Sequence, residues 1–417
     1  MRGQTAPVLT DRLPCGVQLV VEPMDHVASV TLGVWVGTGS RDEEPTEAGS
    51  SHFLEHLLFK GSARWPATRL AEAVDEVGGD MNAYTTKEHT TFYVRLLAEH
   101  LDLGLDVLGS ILTEPTLHEA DVRAERSVVL DELRMHADEP ADVAAEQLAA
   151  ALFPRHPLGR DVLGSEASVL GLDAHGLRRF FERHYRNDNL VVAAAGALDP
   201  EGLAVAVDQV FRDRQGGARP ARIPPGPPTP RTVVSTRPTE QVQLALGVRG
   251  PGRNAEQRHA LAVLAHVLGG GLSSRLFQEI RERRGLAYSV WAERVLFEET
   301  GYLALGAGTG PDDARQVLAL LQAQLEDLAA RGPTPRELAV AKAFLRADTL
   351  LGLEDSGARM HRIGAAQLLH GQVPPLEQLL ARLEAVEAEE VAALAAELAS
   401  GPRVVSAVGP LRPDQLP

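Results

Sequence analysis

Cysteine is nearly missing from this 417-residue chain: Cys15 stands alone, so no intrachain disulfide and no four-cysteine metal site can form. Aromatic residues make up only 4%, and lysine occurs three times, at Lys60, Lys87 and Lys342. The lysine shortage reads as coding bias and carries no functional meaning. Positive charge as a whole is short, with 41 basic against 57 acidic residues and a net charge of −16. A polyanion needs a basic face to displace its counterions, so nucleic acid is not an expected partner. No apolar run reaches the ~18 residues of a membrane span. The opening segment MRGQTAPVLTDRLPCG lacks the apolar stretch of a signal peptide. The expectation is a cytoplasmic protein with no membrane partner.

What is present is a globular composition, 44% hydrophobic and 24% charged. Its sharpest break is RQGGARPARIPPGPPTP at 214–230, where proline removes backbone donors and glycine loosens the chain. This predicts a domain over 1–215, a proline-rich linker over 216–231 and a second domain over 232–417. Both halves open alike. Val30, Leu32, Val34 and Val36 alternate as in a half-buried strand, and so do Val242, Leu244 and Leu246. Each strand leads into a helical run ending in glycine, HFLEHLLFKG at 52–61 and AVLAHVLGGG at 262–271. A second correspondence pairs the helical stretch beginning at Pro115 with that beginning at Pro333. Long helical patterns also cover 99–112, 311–330 and 376–399. The expected fold class is α+β: two related domains, each a mostly antiparallel sheet packed with helices.

The chemistry concentrates in His52-Phe53-Leu54-Glu55-His56. On a helix, His52, Glu55 and His56 share one face. Two imidazoles one turn apart can hold zinc through neutral nitrogens, leaving the carboxylate beside a metal-activated water as general base. This is the inverted H-x-x-E-H order of zinc peptidases. A catalytic zinc takes a third protein ligand, and the helical run 118–137 offers Glu119, Glu125, Asp131, Glu132 and His136. Glu125 and Glu132 lie two turns apart on one face. One can be a ligand and the other a supporting carboxylate, and spacing leaves open which is which. The second half is an internal control. There His52, Glu55 and His56 align with Ala262, Ala265 and His266, while Glu125 and Glu132 align with Ala343 and Leu350. The metal site belongs to the first half, and His266 is expected to be a packed histidine.

Four ordered segments, HFLEHLLFKG, NAYTTKEHTTFY, ERSVVLDEL and GGGLSSRLFQEIRERRGLAYSV, resemble the pitrilysin family of zinc peptidases, in particular its short two-domain bacterial members. The resemblance implies one zinc per chain held by His52, His56 and Glu132, with Glu55 as general base and Glu125 in support. It further implies that Asn82 and Ala83 hold substrate by strand addition, and that Arg281 and Tyr288 contact substrate and the carbonyl under attack. It implies half of a clamshell chamber that takes extended peptides or unfolded segments. The partner is a second copy of the chain, with a paralogue as the alternative. The alternative function is a non-catalytic subunit of a heteromeric peptidase-like complex.

Overall fold

The computed structural model describes residues 7–214, 216–217, 219 and 221–416. They form two compact units. The first comprises the chain up to Leu133, Arg160–Arg222 and Leu351–Pro374; the second comprises Arg134–Gly159, Ile223–Leu350 and the chain from Pro375 onward. Two segments therefore depart from a simple cut at the linker, for a reason visible in the packing of each sheet. No helix or strand forms among the described residues between 216 and 230, as the prolines require. Gln215, Ala218 and Pro220, at the expected boundary, lie outside the described residues.

In the first half of the chain the strands are β1 (Leu9–Arg12), β2 (Gln18–Pro23), β3 (Ser29–Val36), β4 (Asp80–Thr85), β5 (Thr90–Leu97) and β6 (Leu190–Gly196). They build one sheet in the order β1-β2-β6-β3-β5-β4. Every pairing is antiparallel except β2 with β6. The accompanying helices are α1 (Ser50–Leu58), α2 (Ala67–Asp75), α3 (Leu101–Thr113), α4 (Glu119–Asp138), α5 (Pro140–Leu152), α6 (Glu166–Gly171), α7 (Ala174–His184) and α8 (Pro200–Phe211).

The second half contributes β7 (Arg231–Thr236), β8 (Val242–Gly250), β9 (Ala287–Leu296), β10 (Gly301–Thr309) and β11 (Arg403–Gly409), in the order β7-β11-β8-β10-β9 with only β7 and β11 parallel. Its helices are α9 (Arg258–Gly269), α10 (Ala314–Arg331), α11 (Pro335–Gly352), α12 (Ser356–His370), α13 (Leu376–Glu384) and α14 (Ala388–Ser400). The run expected to be one helix over 376–399 is two. Glu387 opens the second, its backbone N–H donating to Glu390 at 2.8 Å in a reciprocal cap, so a capping pair rather than glycine or proline makes the break.

One face of the first sheet packs Leu32, Val34, Phe92 and Val94 against Phe53, Leu54, Leu57 and Leu58 of α1. Each such buried side chain contributes about 1.5–3 kcal/mol. The opposite face is also covered. Met360, Ile363 and Leu368 of α12 pack on Val20, Trp35, Val191 and Ala193. Contact is close enough that a Cβ on Gly364 would lie 2.4 Å from the Trp35 ring, so only glycine fits there. Thus β3, expected to be half-buried, is buried on both faces. In the second unit α5 plays the same part: Leu148, Leu152 and Phe153 cover Ala245, Ala304 and Val404. Each sheet takes one helix from the opposite half of the sequence, which is why the units are discontinuous.

Candidate metal centre

The helix α1 is short, nine residues, and amphipathic. Phe53, Leu54, Leu57 and Leu58 anchor it to the sheet, and this fixes the rotation that turns His52, Glu55 and His56 together. Its first turn follows Gly49, whose φ of +93° is open to glycine and strained for other residues. Alongside, α4 presents Glu125 and Glu132.

Three donor atoms converge. His52 Nε2 and His56 Nε2 lie 3.3 Å apart, and Glu132 Oε2 lies 3.5 Å from the first and 3.4 Å from the second. Ligands at about 2.0–2.1 Å from a tetrahedral zinc stand roughly 3.3–3.4 Å from one another, so this triangle fits the ion in size and in donor chemistry. Three lone-pair atoms at this spacing repel unless a proton or a cation lies among them. His52 is buried, and its Nδ1 has no hydrogen-bond partner among the described residues. Burial disfavours the His52 imidazolium, but Glu132 and Glu55 outweigh it and lift its pKa above the ordinary histidine value.

Glu125 occupies a different place from Glu132. Its Oε1 lies 3.0 Å from His56 Nδ1, and its Oε2 pairs with Lys60 Nζ at 2.6 Å. A carboxylate on the far nitrogen fixes which tautomer the ring adopts and turns Nε2 toward the cluster. The two glutamates that helical spacing could not separate are thereby distinguished: one meets both Nε2 atoms, the other one Nδ1.

Glu55 makes no short contact with the triangle. Its Oε2 accepts a 2.5 Å hydrogen bond from Thr85 Oγ1 at the end of β4. Burial raises its pKa; the Thr85 bond and the neighbouring imidazoles work in the opposite direction. Asn82 and Ala83 lie on β4 itself, an edge strand paired among the described residues only with β5, and Asn82 Oδ1 accepts from the Ala83 N–H at 2.8 Å.

Arg281 and Tyr288 lie in the second unit. A π-helical turn, Phe277–Glu282, places the Arg281 guanidinium carbon 4.8 Å from the Phe277 ring centre and 4.7 Å from that of Tyr288. Tyr288 is 75% exposed. The neighbouring arginines differ: Arg275 pairs with Asp327 and Glu337, while Arg283 and Arg284 pair with Glu279. On α9, Ala262 and Ala265 occupy the positions aligned with His52 and Glu55. His266 stacks on Phe344, ring centres 4.4 Å apart, as expected of a packed histidine.

Three residues outside the candidates drawn from motif and spacing join the first unit's site. Lys60 sits one turn beyond His56, and helical spacing could have flagged it. Thr85 and Glu43 come from other segments, and no local signal connects them to α1. Glu43 is 4% exposed; its Oε2 accepts from the Gly49 N–H at 2.8 Å and its Oε1 from the Ser51 N–H at 2.7 Å. Burial pushes its pKa up to about 7, against the opposing effect of those two N–H groups and Arg160.

A sheet-and-helix unit presenting an inverted His-x-x-Glu-His helix beside a third carboxylate has the construction of a zinc-peptidase centre. The chain belongs to peptidase family M16. The model described as insulinase (peptidase family M16) matches residues 19–166, and that described as the peptidase M16 inactive domain matches 172–345. An uncharacterized zinc protease of Mycobacterium tuberculosis (strain ATCC 25618 / H37Rv) is 43% identical over 403 residues, 95% of this chain and 92% of that protein. Another from Bacillus subtilis (strain 168) is 35% identical over 395 residues, 95% and 96% of the two chains. Among solved structures, a protease from Helicobacter pylori superposes with a TM-score of 0.91 over 98% of this chain and 100% of that one; at 22% identity the likeness concerns the fold. Among the described residues no helix is long and apolar enough to cross a membrane.

Proposed function

We propose that the chain is a cytoplasmic zinc metalloendopeptidase that cleaves extended peptides or unfolded segments within an enclosed chamber. The observation that carries this reading is the 3.3–3.5 Å triangle of His52, His56 and Glu132 beside a Glu55 that stands outside it. Bound zinc would supply a Lewis acid that acidifies water and polarises a carbonyl. The chain's own residues do the rest. Glu125, itself held by Lys60, orients His56. Thr85 holds one oxygen of Glu55, leaving the other to take a proton from the attacking water and return it to the departing amine. The free edge of β4 accepts the substrate backbone at Asn82 and Ala83 as an added strand, the Asn82 side chain giving up the Ala83 N–H. Arg281 and Tyr288 donate to the carbonyl oxygen as charge develops. We place the chain in a homodimer in which that pair serves the neighbouring copy.

The test is hydrolysis of an unfolded peptide together with metal content. Glu55→Gln is expected to keep one zinc per chain and lose at least about 100-fold in kcat, the low end of what a general base supplies. His52→Ala loses both. In the same assay, mixing Glu55→Gln with Arg281→Ala chains restores activity. Tight zinc binding with no hydrolysis by the wild type would favour a non-catalytic subunit instead.

A further inference from the structure

We infer that Glu43 is a positioning residue for the metal helix: its buried carboxylate takes the place of the side-chain cap that Gly49 lacks, and so holds the first turn of α1, with His52, against the other ligands.

The geometry leaves this end of α1 with a particular need. A Cβ on Gly49 would lie 2.6 Å from the Leu163 carbonyl oxygen, so the residue ahead of the helix is confined to glycine and offers no capping oxygen. The first amides of a helix have no partner within it and need one from outside. Glu43, six residues upstream, provides it to Gly49 and to Ser51 with one oxygen each. A negative charge at this end also opposes the helix dipole favourably. The very next residue is His52. In a nine-residue helix the turn that frays without its cap is the turn carrying a ligand.

The capping carboxylate is itself immobilised. Arg160 Nη2 donates to the Glu43 carbonyl at 2.5 Å, and Lys87 donates in turn to the Arg160 carbonyl. The preceding residue, Asp42, accepts from the Nε and Nη2 edge of the Arg222 guanidinium, at 2.9 and 2.8 Å, in a pair almost wholly shielded from water. Glu43 therefore cannot drift with a loosened helix. It is a fixed point from which the position of His52 is set.

This rests on the reading of His52 as a ligand, and the experiment separates the two. Zinc dissociation constants of the full chain are measured by competition with a chelating indicator at pH 8, for wild type, Glu43→Gln and Glu43→Asp. Outer residues that orient ligands typically govern about 10–100-fold in metal affinity. Glu43→Gln, which keeps one acceptor, is expected to weaken binding within that range; Glu43→Asp, too short to reach both amides, gives a smaller loss. Hydrogen exchange of the metal-free proteins should show faster exchange over 49–53 in both variants, with other segments of the first unit unchanged. An unaltered constant in a folded variant overturns the inference; if Glu43→Gln does not fold, Glu43→Asp decides alone. If the wild type binds no zinc, the ligand reading falls, and exchange over 49–53 then decides the role of Glu43: faster exchange supports it and equal exchange refutes it.

Discussion

The helices α1 and α9 occupy matching places in the two halves of the chain, yet among the described residues α1 helps gather three metal-type donors where α9 has only His266 at the aligned positions. On α1, His52, Glu55 and His56 share a face, and the two histidines meet Glu132; on α9, Ala262 and Ala265 leave His266 alone to stack on Phe344. Both helices are held by the same means, apolar residues packed on a sheet. Packing therefore specifies the frame, and a handful of polar side chains on one largely buried stripe specifies whether that frame gathers metal-type donors. Fold and metal-type donor set are separable in this molecule: the first unit has both, and the second has the sheet-and-helix frame without the triangle.

The strongest way to break that comparison is to remove the third donor. Glu132→Gln is expected to reduce zinc affinity by more than about 100-fold, since an amide supplies no charge to the ion. The aligned change in the second unit, Leu350→Gln, leaves zinc affinity untouched and serves as its control. Isothermal titration of both variants measures the contrast; equal losses would mean that the units are not divided in this way.

A change in stability rather than in metal affinity sharpens the structural half of the comparison. Trp35 is fully buried beneath α12, and Phe153, at the C-terminal end of α5, is fully buried against the second sheet. Trp35→Ala and Phe153→Ala should each cost about 3–5 kcal/mol. Denaturant melts followed by peptide-resolved hydrogen exchange should assign the first loss to the first unit and the second to the second. Loss of protection in the wrong unit would contradict the packing described.

The smallest effect concerns Glu43. Its folded-state pKa, near 7, lies above the ordinary glutamate value, so the folded protein binds a proton that the unfolded chain has already released. The stability of metal-free wild type relative to Glu43→Gln should therefore be greatest at and below about pH 4.5. It should fall as pH rises toward 7 and level off above it. Thermal midpoints across that window check the sign, and a difference that grows with pH would reverse it.

Much of this was legible in the chain. Alternation located β3 and β8, and three-and-four spacing put His52, Glu55 and His56 on one helical face. What escaped were facts of assembly. Alternating Val30, Leu32, Val34 and Val36 reads as one buried face, because nothing near β3 announces that α12, more than 300 residues later, will cover the other. Glu125 and Glu132 share a helical face, so spacing alone could not tell them apart; the family resemblance singles out Glu132, and the placement of α1 against α4 gives one the Nε2 atoms and the other Nδ1. Thr85 and Glu43 act on α1 from other segments, which no periodicity can register.

The exchange of α5 and α12 also has a consequence for the order of events during synthesis. A chain emerging from its N-terminus has made all six strands of the first sheet by Gly196, yet Trp35 and its neighbours stay uncovered until α12 has emerged. Folding of the metal-bearing unit must wait through most of translation, with an apolar sheet face held open in the meantime. Contacts this distant in sequence also make folding slow. A fragment ending at the proline-rich linker would remain permanently in that unfinished state, prone to associate through the face α12 was to cover.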